Sequence, residues 1–153
     1  MNLDYTIENN RFNARVSAII YNKDKSKILL FQMKDKDYYM LPGGRIEFNE
    51  DSISAIKREI KEETNFDLEY KFISIQENFV KRDNINIMQY CFVYEAVLNE
   101  DIDLNEFLCK DNNYQKFYWI DIKKLNDMLI FPVSTKDMVL KENDIVLHII
   151  EKA

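Results

Sequence analysis

Three glutamates, Glu59, Glu62 and Glu63, are spaced so that a helix would carry all of them on one side. Residues three and four positions apart are neighbours on a helix, so these carboxylates repel one another. Glu62 and Glu63 also fall in the last predicted turn, where the helix dipole favours cations. Carboxylate oxygens are the hard ligands that hold Mg²⁺ beside substrate phosphates. An acid-rich helix is usually just a solvated surface, so the metal interpretation needs a second signal.

The second signal is a pair of glycines. Gly43 and Gly44 are the chain's two glycines, and they directly follow Pro42. A tight turn would explain the pair by itself. Glycine also lets a backbone approach a ligand where a Cβ atom would clash. Placed just ahead of the acidic helix, the glycine loop (residues 42–45) therefore predicts, together with that helix, a site for a metal ion and a polyphosphate.

The start of the helix that must position these glutamates is predicted at Asn49. Asparagine is a good N-cap residue, and Glu50 and Asp51 would then lie in the first turn, where the dipole favours negative charge. Phe48 and Ile53 have the spacing of a hydrophobic staple around that cap. These signals together predict a helix entered at residue 49.

The rest of the same helix has one apolar face. Ile53, Ile56 and Ile60 share a side at helical spacing, so that side is predicted to be buried. The helix is predicted to end at Asn65, because asparagine is the usual alternative to glycine at a left-handed C-terminal position.

The remaining sequence predicts more strands than helices. Interleaved strands and helices indicate an α/β or α+β class with a mixed sheet, and we expect residues 1–153 to form a single domain. The predicted strands are 14–21, 27–33, 38–41, 70–80, 85–98, 116–120 and 145–150, and the predicted later helices are 121–129 and 134–143.

Composition excludes several classes of protein. The net charge is −6 and no basic block is present, which argues against long nucleic acid and against an anionic membrane as partners. The sequence shows no signal peptide or apolar run of membrane-spanning length, so we expect a cytoplasmic protein. Cys91 and Cys109 are isolated and are expected to be buried thiols, while the single histidine, His148, is expected to be packed in the core.

The stretch from Gly44 to Phe66 resembles the Nudix box. The family pattern has a glycine, a glutamate after five residues, and then Arg-Glu-aliphatic-any-Glu-Glu-any-Gly-aliphatic after seven more. The matching residues are Gly44, Glu50, Arg58, Glu59, Ile60, Glu62 and Glu63, with Asn65 and Phe66 in place of the last glycine and aliphatic residue.

This resemblance implies the Nudix fold, a mixed sheet sandwiched between helices, with the box as loop-helix-loop. It implies hydrolysis of a diphosphate linkage with Mg²⁺, or with Mn²⁺. The implied metal ligands are Glu59, Glu62, Glu63 and the carbonyl of Gly43. Glu62 or Glu59 would orient or deprotonate the attacking water.

Other residues receive supporting roles. The resemblance implies that Glu50 and Arg58 pair to hold the loop to the helix, and that Glu47 supports a further metal. Charge placement makes Arg15 and Arg45 candidates for substrate phosphates, with surface ion pairs as the simpler alternative. A further acid outside the box is expected in some relatives. We expect such an acid near "IMQYCF", where this chain has Gln89 instead. Glu77, Glu100 and Glu106 are the other open candidates for it.

The sequence therefore predicts a Mg²⁺-dependent pyrophosphohydrolase that acts on a nucleoside di- or triphosphate or a related nucleotide, as a monomer or homodimer. Alternative substrates are ADP-ribose, a dinucleotide polyphosphate or a capped RNA end. A nucleotide-sensing Nudix module without turnover is a separate alternative, although such modules typically lose box glutamates, and all of them are present here.

Overall fold

The computed structural model describes residues 1–141 and 145–152. The strands are β1 (Asp4–Ile7), β2 (Asn10–Tyr21), β3 (Lys27–Met33), β4 (Tyr39–Met40), β5 (Gly43–Arg45), β6 (Lys71–Arg82), β7 (Ile85–Val97), β8 (Glu106–Leu108), β9 (Gln115–Asp121), β10 (Ile130–Phe131) and β11 (Leu147–Lys152). The helices are α1 (Ser52–Thr64), a 3-10 helix (Ile122–Asp127) and α2 (Thr135–Met138).

All the strands belong to one mixed sheet, whose main order is β10-β4-β3-β2-β7-β6-β11. β2 runs parallel to β7 along its whole length and antiparallel to β5. β2 and β3 pair only through Tyr21 and Ile28, so the two strands separate along the rest of their length. Strand β5, which belongs to the box loop, pairs with β2 in the region where β3 no longer does.

The sheet is covered on both faces. Alternate residues of β2, such as Val16 and Ala18, pack with Ile56 and Ile60 of α1 in one buried cluster. The intervening Ile19 and Tyr21 face a second cluster. That cluster includes Leu125 of the 3-10 helix and Met138 of α2. The prediction of a mixed sheet between helices is confirmed.

The predicted start of α1 is wrong by two residues. Asn49 has a left-handed backbone with a φ of 66°, so it sits in a turn before the helix. Asp51 is the N-cap, and its carboxylate accepts a hydrogen bond of 2.8 Å from the N–H of Ser54. Glu50 and Asp51 therefore precede the first turn. The predicted staple is absent too, because Phe48 lies outside the new cap and its side chain is exposed.

The buried face and the end of α1 agree with the sequence prediction. Ile56 and Ile60 are fully buried, and Ile53 packs against the same cluster. Asn65 adopts the left-handed conformation, with φ 65° and ψ 10°, and its N–H donates to the carbonyl of Lys61 at 3.0 Å.

The two later helices are shorter than predicted. The segment 121–129 contains a 3-10 helix of six residues, and 134–143 contains the four-residue α2. Residues 142 and 143 of that prediction lie outside the described part of the chain. β1, β5, β8 and β10 were not predicted as strands, because they have only two to four residues each.

The predicted burial is correct for the cysteines and wrong for the histidine. Cys91 and Cys109 are free and buried, as expected. His148 is not a core residue, because its side chain is 58% exposed and Nε2 lies 2.5 Å from a carboxylate oxygen of Glu77. Strand β11 lies at the end of the sheet order, which gives this histidine an exposed position. Among the helices of the described residues, none is long and apolar enough for a membrane span.

Candidate active site

The two glycines allow two close backbone approaches. Gly43 pairs with Ser17 on β2, and a Cβ atom at Gly43 would lie 2.0 Å from the carbonyl oxygen of Val16. A Cβ atom at Gly44 would lie 2.2 to 2.4 Å from the carboxylate of Glu59. Because the clash at Gly43 is with backbone atoms, that position requires glycine, whereas a Cβ atom at Gly44 would displace the carboxylate of Glu59. The glycine loop therefore packs against β2 and against Glu59 of the helix at the same time.

An ion pair connects the loop to α1. Arg58 donates two hydrogen bonds to the carboxylate of Glu50, at 2.7 and 2.8 Å, and a third to the carbonyl of Arg45 at 3.1 Å. Glu50 in turn accepts the N–H of Glu47 at 3.0 Å. The bonds from Arg58 lower the pKa of Glu50, so this carboxyl group is held ionised. The geometry is that of the predicted internal pair.

Glu59 and Glu63 present a different electrostatic situation. The side chain of Glu63 is 4% exposed, and its Oε2 atom is buried without a hydrogen-bond partner. Burial, followed by the neighbouring charge of Glu59, raises the pKa of Glu63 to about 9. Burial also raises the pKa of Glu59, against the opposing effect of its 2.9 Å bond from Arg58. The buried carboxyl group of Glu63 and the partly buried one of Glu59 thus lie in a site where burial disfavours their charged forms.

Glu62 lies further out. Its side chain is 44% exposed, and one oxygen is 3.5 Å from Nη1 of Arg58. It is therefore reached by solvent, whereas Glu63 is not. The helical spacing predicted a shared stripe for the three glutamates, and the structure separates them by depth.

A cavity of about 240 Å³ lies where β2 and β3 separate. We call it the carboxylate cavity. Its floor includes Gly43, Gly44, Glu59 and Glu63, and Phe31, Met33 and Met40 form an apolar wall. Asp111, Asn112, Tyr114 and Gln115 also line it, and Arg15 and Arg45 add positive charge. The combination offers oxygen ligands, cations and an apolar surface in one place.

The three residues with predicted supporting roles toward a substrate or a further metal, Arg15, Arg45 and Glu47, have different surroundings. Arg15 lines the cavity, and its positive charge opposes, without cancelling, the rise in the pKa of Glu63 that burial causes. Arg45 also lines the cavity, but its Nε atom lies 2.6 Å from Asp4, which also pairs with Arg11. Glu47 is not among the lining residues, and its backbone pairs with Glu50. Their roles toward a substrate stay predictions.

The donor set suits a divalent cation. The unpartnered Oε2 of Glu63 and the adjacent Glu59 are hard oxygen donors of the kind that Mg²⁺ prefers, and a bound cation would replace the proton that burial favours on Glu63. Within residues 1–141 and 145–152, three such side chains do not already converge into a closed metal cluster. The chemistry of Glu59 and Glu63 therefore fits a divalent cation, and Glu62 lies on the more exposed side of the helix.

The sequence prediction missed the loop between β8 and β9. It named only glutamates as candidates for a further acid, so it did not include Asp111, Asn112 or Tyr114. The signal was present in the run "KDNNYQ", whose Asp and Asn residues are typical of turns that fold back on their own backbone.

The residues that were considered for an additional acid lie elsewhere. Glu77 contacts His148, and Glu106 pairs with Lys116 at 2.9 Å on the surface. Glu100 is exposed. Gln89 donates to Asn13 on the sheet. These residues are absent from the lining of the carboxylate cavity.

The fold agrees with comparisons to known proteins. Residues 11–138 match the NUDIX domain. The chain therefore belongs to the Nudix hydrolase family, as the box residues predicted.

Two curated relatives come from Saccharomyces cerevisiae. The m7GpppN-mRNA hydrolase of strain S288c and the mRNA-decapping enzyme subunit 2 of strain YJM789 are each 34% identical over 111 residues. The match covers 71% of this chain and 11% of each relative, so the chain spans about a tenth of their length.

Solved structures show the same fold at low identity. A MutT protein from Bacillus halodurans superposes with a TM-score of 0.69 and 18% identity, covering 89% of this chain and 86% of its own. A MutT NUDIX hydrolase from Burkholderia pseudomallei gives 0.65 and 19%, covering 85% and 98%. At these identities the likeness is one of fold.

Proposed function

We propose that the protein hydrolyses a diphosphate linkage in a nucleotide derivative and requires Mg²⁺ or Mn²⁺ to do so. The observation that carries this proposal is the buried Oε2 atom of Glu63, which has no hydrogen-bond partner and lies at the same cavity as the partly buried Glu59 and the glycine loop. Such an atom is costly to keep in a fold unless a cation meets it. The cations of Arg15 and Arg45 at the same cavity suit the phosphates of a substrate.

Each box residue then has a role. Glu59 and Glu63 hold the ion, and Gly44 leaves room for the carboxylate of Glu59. The bound ion would neutralise phosphate charge and lower the pKa of a water molecule. Glu62 is the residue we assign to accepting the proton of that water, because it is exposed and its pairing with Arg58 is looser than that of Glu50. Glu59 is the alternative base.

The substrate that we favour is a nucleoside di- or triphosphate or a related small nucleotide. The cavity of about 240 Å³ combines a polar end with an apolar wall, which suits a diphosphate joined to a less polar group. The net charge of −6 does not favour long RNA.

A capped RNA end is the second candidate. The yeast relatives named for decapping support it. A short capped end would need few contacts to the RNA backbone, so the acidic net charge is compatible with it.

The test is a substrate panel with folded protein in Mg²⁺, in Mn²⁺ and in EDTA. The panel contains nucleoside triphosphates, ADP-ribose, a diadenosine polyphosphate and a short capped RNA, with phosphate and pyrophosphate measured separately. We expect turnover of at least one nucleotide in metal and none in EDTA. Absence of turnover throughout would favour a sensing module instead.

Glu62→Gln tests the assignment of the base. We expect kcat to fall by about a hundredfold or more, in line with the loss of a general base, while Mg²⁺ still stabilises the folded protein. Lys57→Gln, on an exposed position of the same helix, is the matched control and should keep its rate. A Glu62→Gln rate within about threefold of wild type is too small for a lost base and would remove Glu62 from that role.

A further inference from the structure

The carboxylate cavity has an acidic side chain that does not come from the box. Asp111 lines it together with Glu59 and Glu63, although it belongs to the loop between β8 and β9. The cavity therefore receives negative charge from two separate segments of the chain.

This loop has a defined conformation. The side-chain oxygen of Asn112 accepts the N–H groups of Tyr114 and Gln115, at 3.1 and 3.0 Å, and its side-chain nitrogen donates to the side chain of Gln115 at 2.7 Å. These bonds close the turn on itself. Asp111, directly before Asn112, is thus held at one place on the rim.

The loop is also attached to the acidic helix. The N–H of Lys110 donates to the carbonyl of Glu63 at 2.8 Å. The residues before and after Asp111 are therefore fixed, one to the end of α1 and the other to the loop. The structure keeps Asp111 beside the glutamates by hydrogen bonds that do not involve its own carboxylate.

A second observation points to a ligand. The Oε2 atom of Glu63 is buried without a hydrogen-bond partner, its side chain is 4% exposed, and it lines the same cavity. Buried polar atoms without partners are rare in folded proteins and often mark an ion or water. Glu63 of the helix and Asp111 of the loop both line the cavity that such a cation would enter.

We propose that Asp111 is a further carboxylate of the divalent-cation site, acting on the ion directly or through a water molecule bound to it. This inference rests on the proposed metal-dependent function. It differs from the box assignment because the ligand comes from a different loop. It also gives a function to the β8–β9 loop, in which the sequence prediction had named no site residue.

The experiment measures Mn²⁺ binding by the loss of the free-ion electron paramagnetic resonance signal, with the full chain. The variants are Asp111→Asn, Asp111→Glu and, as the matched control, Asp103→Asn at an exposed position of the preceding segment. We expect Asp111→Asn to weaken Mn²⁺ binding about tenfold to a hundredfold. Asp111→Glu should recover part of that loss, and the control should bind as wild type does.

The outcomes separate this inference from the proposed function. Wild type that binds no Mn²⁺ contradicts both. Wild type that binds, with Asp111→Asn within threefold of it, overturns the role of Asp111 alone. A lowered kcat/KM with unchanged Mn²⁺ affinity also overturns the metal role, because it would place Asp111 on the substrate. Equal urea melts in EDTA for all four proteins verify that the variants are folded.

Discussion

The two ends of the Nudix box carry carboxylates in opposite electrostatic states. At the loop end, Glu50 receives two hydrogen bonds from Arg58, and its pKa is lowered. At the helix end, Glu63 is buried with an unpartnered oxygen, and its pKa is raised to about 9. Both are glutamates of one short segment, and their surroundings alone make them differ.

The difference separates a carboxylate that stabilises the fold from one that is available to a metal ion. A carboxylate whose charge is already balanced by an arginine has little capacity left for a metal ion, so Glu50 serves to connect loop and helix. A buried carboxylate without enough balancing charge lowers the stability of the metal-free protein and gains from a cation. Removing the partner of Glu50 should therefore destabilise the metal-free protein, whereas removing the charge of Glu63 should not.

The largest expected effect is at the balanced end. Arg58→Ala removes the partner of Glu50 and one bond to Glu59, and it leaves both carboxylates partly buried. We expect the free energy of unfolding in EDTA to fall by about 3 kcal/mol, because an unpaired buried charge remains. Urea denaturation measures this change.

The control for Arg58→Ala is Lys57→Ala, whose side chain is exposed on the same helix. It should change stability by less than about 0.5 kcal/mol, as surface substitutions usually do. Equal losses for the two variants would mean that the Glu50–Arg58 pair does not stabilise the box.

The next effect concerns Glu63, at the helix end of the box, in the presence of metal. Wild type at a Mg²⁺ concentration a hundred times Kd should gain about 2.7 kcal/mol of stability. Glu63→Gln loses an anionic ligand, and a tenfold weaker Kd would leave about 1.4 kcal/mol at the same concentration. In EDTA we expect its stability to equal or slightly exceed that of wild type.

Thermal melts in EDTA, in MgCl₂ and in NaCl of matched ionic strength distinguish binding from screening. Equal Mg²⁺ shifts for wild type and Glu63→Gln, or an equal shift in NaCl, would contradict the metal assignment.

The pH dependence of the metal-free protein gives the next effect. The pKa of Glu63 is near 4.5 when unfolded and about 9 when folded, so the folded state holds a proton that the unfolded state releases between these values. Stability contributed by this proton is complete below pH 4.5 and is lost as pH rises toward 9. The slope is at most about 1.4 kcal/mol per pH unit.

Glu63→Gln cannot release that proton. The stability of wild type in EDTA should therefore fall more steeply than that of the variant between pH 6 and pH 8. Parallel pH profiles for the two proteins would show that Glu63 titrates as an ordinary exposed carboxyl group.

Much of the box was predictable because its signals are local. Helical spacing identified the buried face of Ile56 and Ile60, and the residue type of Asn65 identified the helix end. The start of α1 was mispredicted because Asn49 is a good residue for an N-cap and also for a left-handed turn. The bond from the N–H of Glu47 to Glu50 selects the turn, and local spacing does not reveal such a bond.

The carboxylate cavity was harder to predict, because its parts are distant in sequence. Asp111 lies 48 positions after Glu63, and a backbone bond from Lys110 brings them together. The depth of each glutamate likewise depends on how the sheet covers α1. Helical spacing placed Glu62 and Glu63 on one stripe, whereas packing buried one and left the other exposed.

The smallest expected effect concerns the residue that ends α1 directly after these glutamates. Asn65 has a φ of 65°, a backbone conformation that glycine adopts freely and asparagine tolerates. Asn65→Val should cost about 1 to 2 kcal/mol, because a β-branched side chain is strained there. Asn65→Gly should be neutral or slightly stabilising.

Urea denaturation of both variants in EDTA checks this, with Glu69→Val as the control at an exposed position whose φ is not positive. The control should change stability by less than about 0.5 kcal/mol. Because the substitution at residue 65 leaves every carboxylate in place, the Mg²⁺ shift of Asn65→Gly should equal that of wild type. If valine is tolerated at position 65 as well as glycine, the left-handed residue does not determine where the helix ends, and Glu63 must be held by the bond from Lys110 instead.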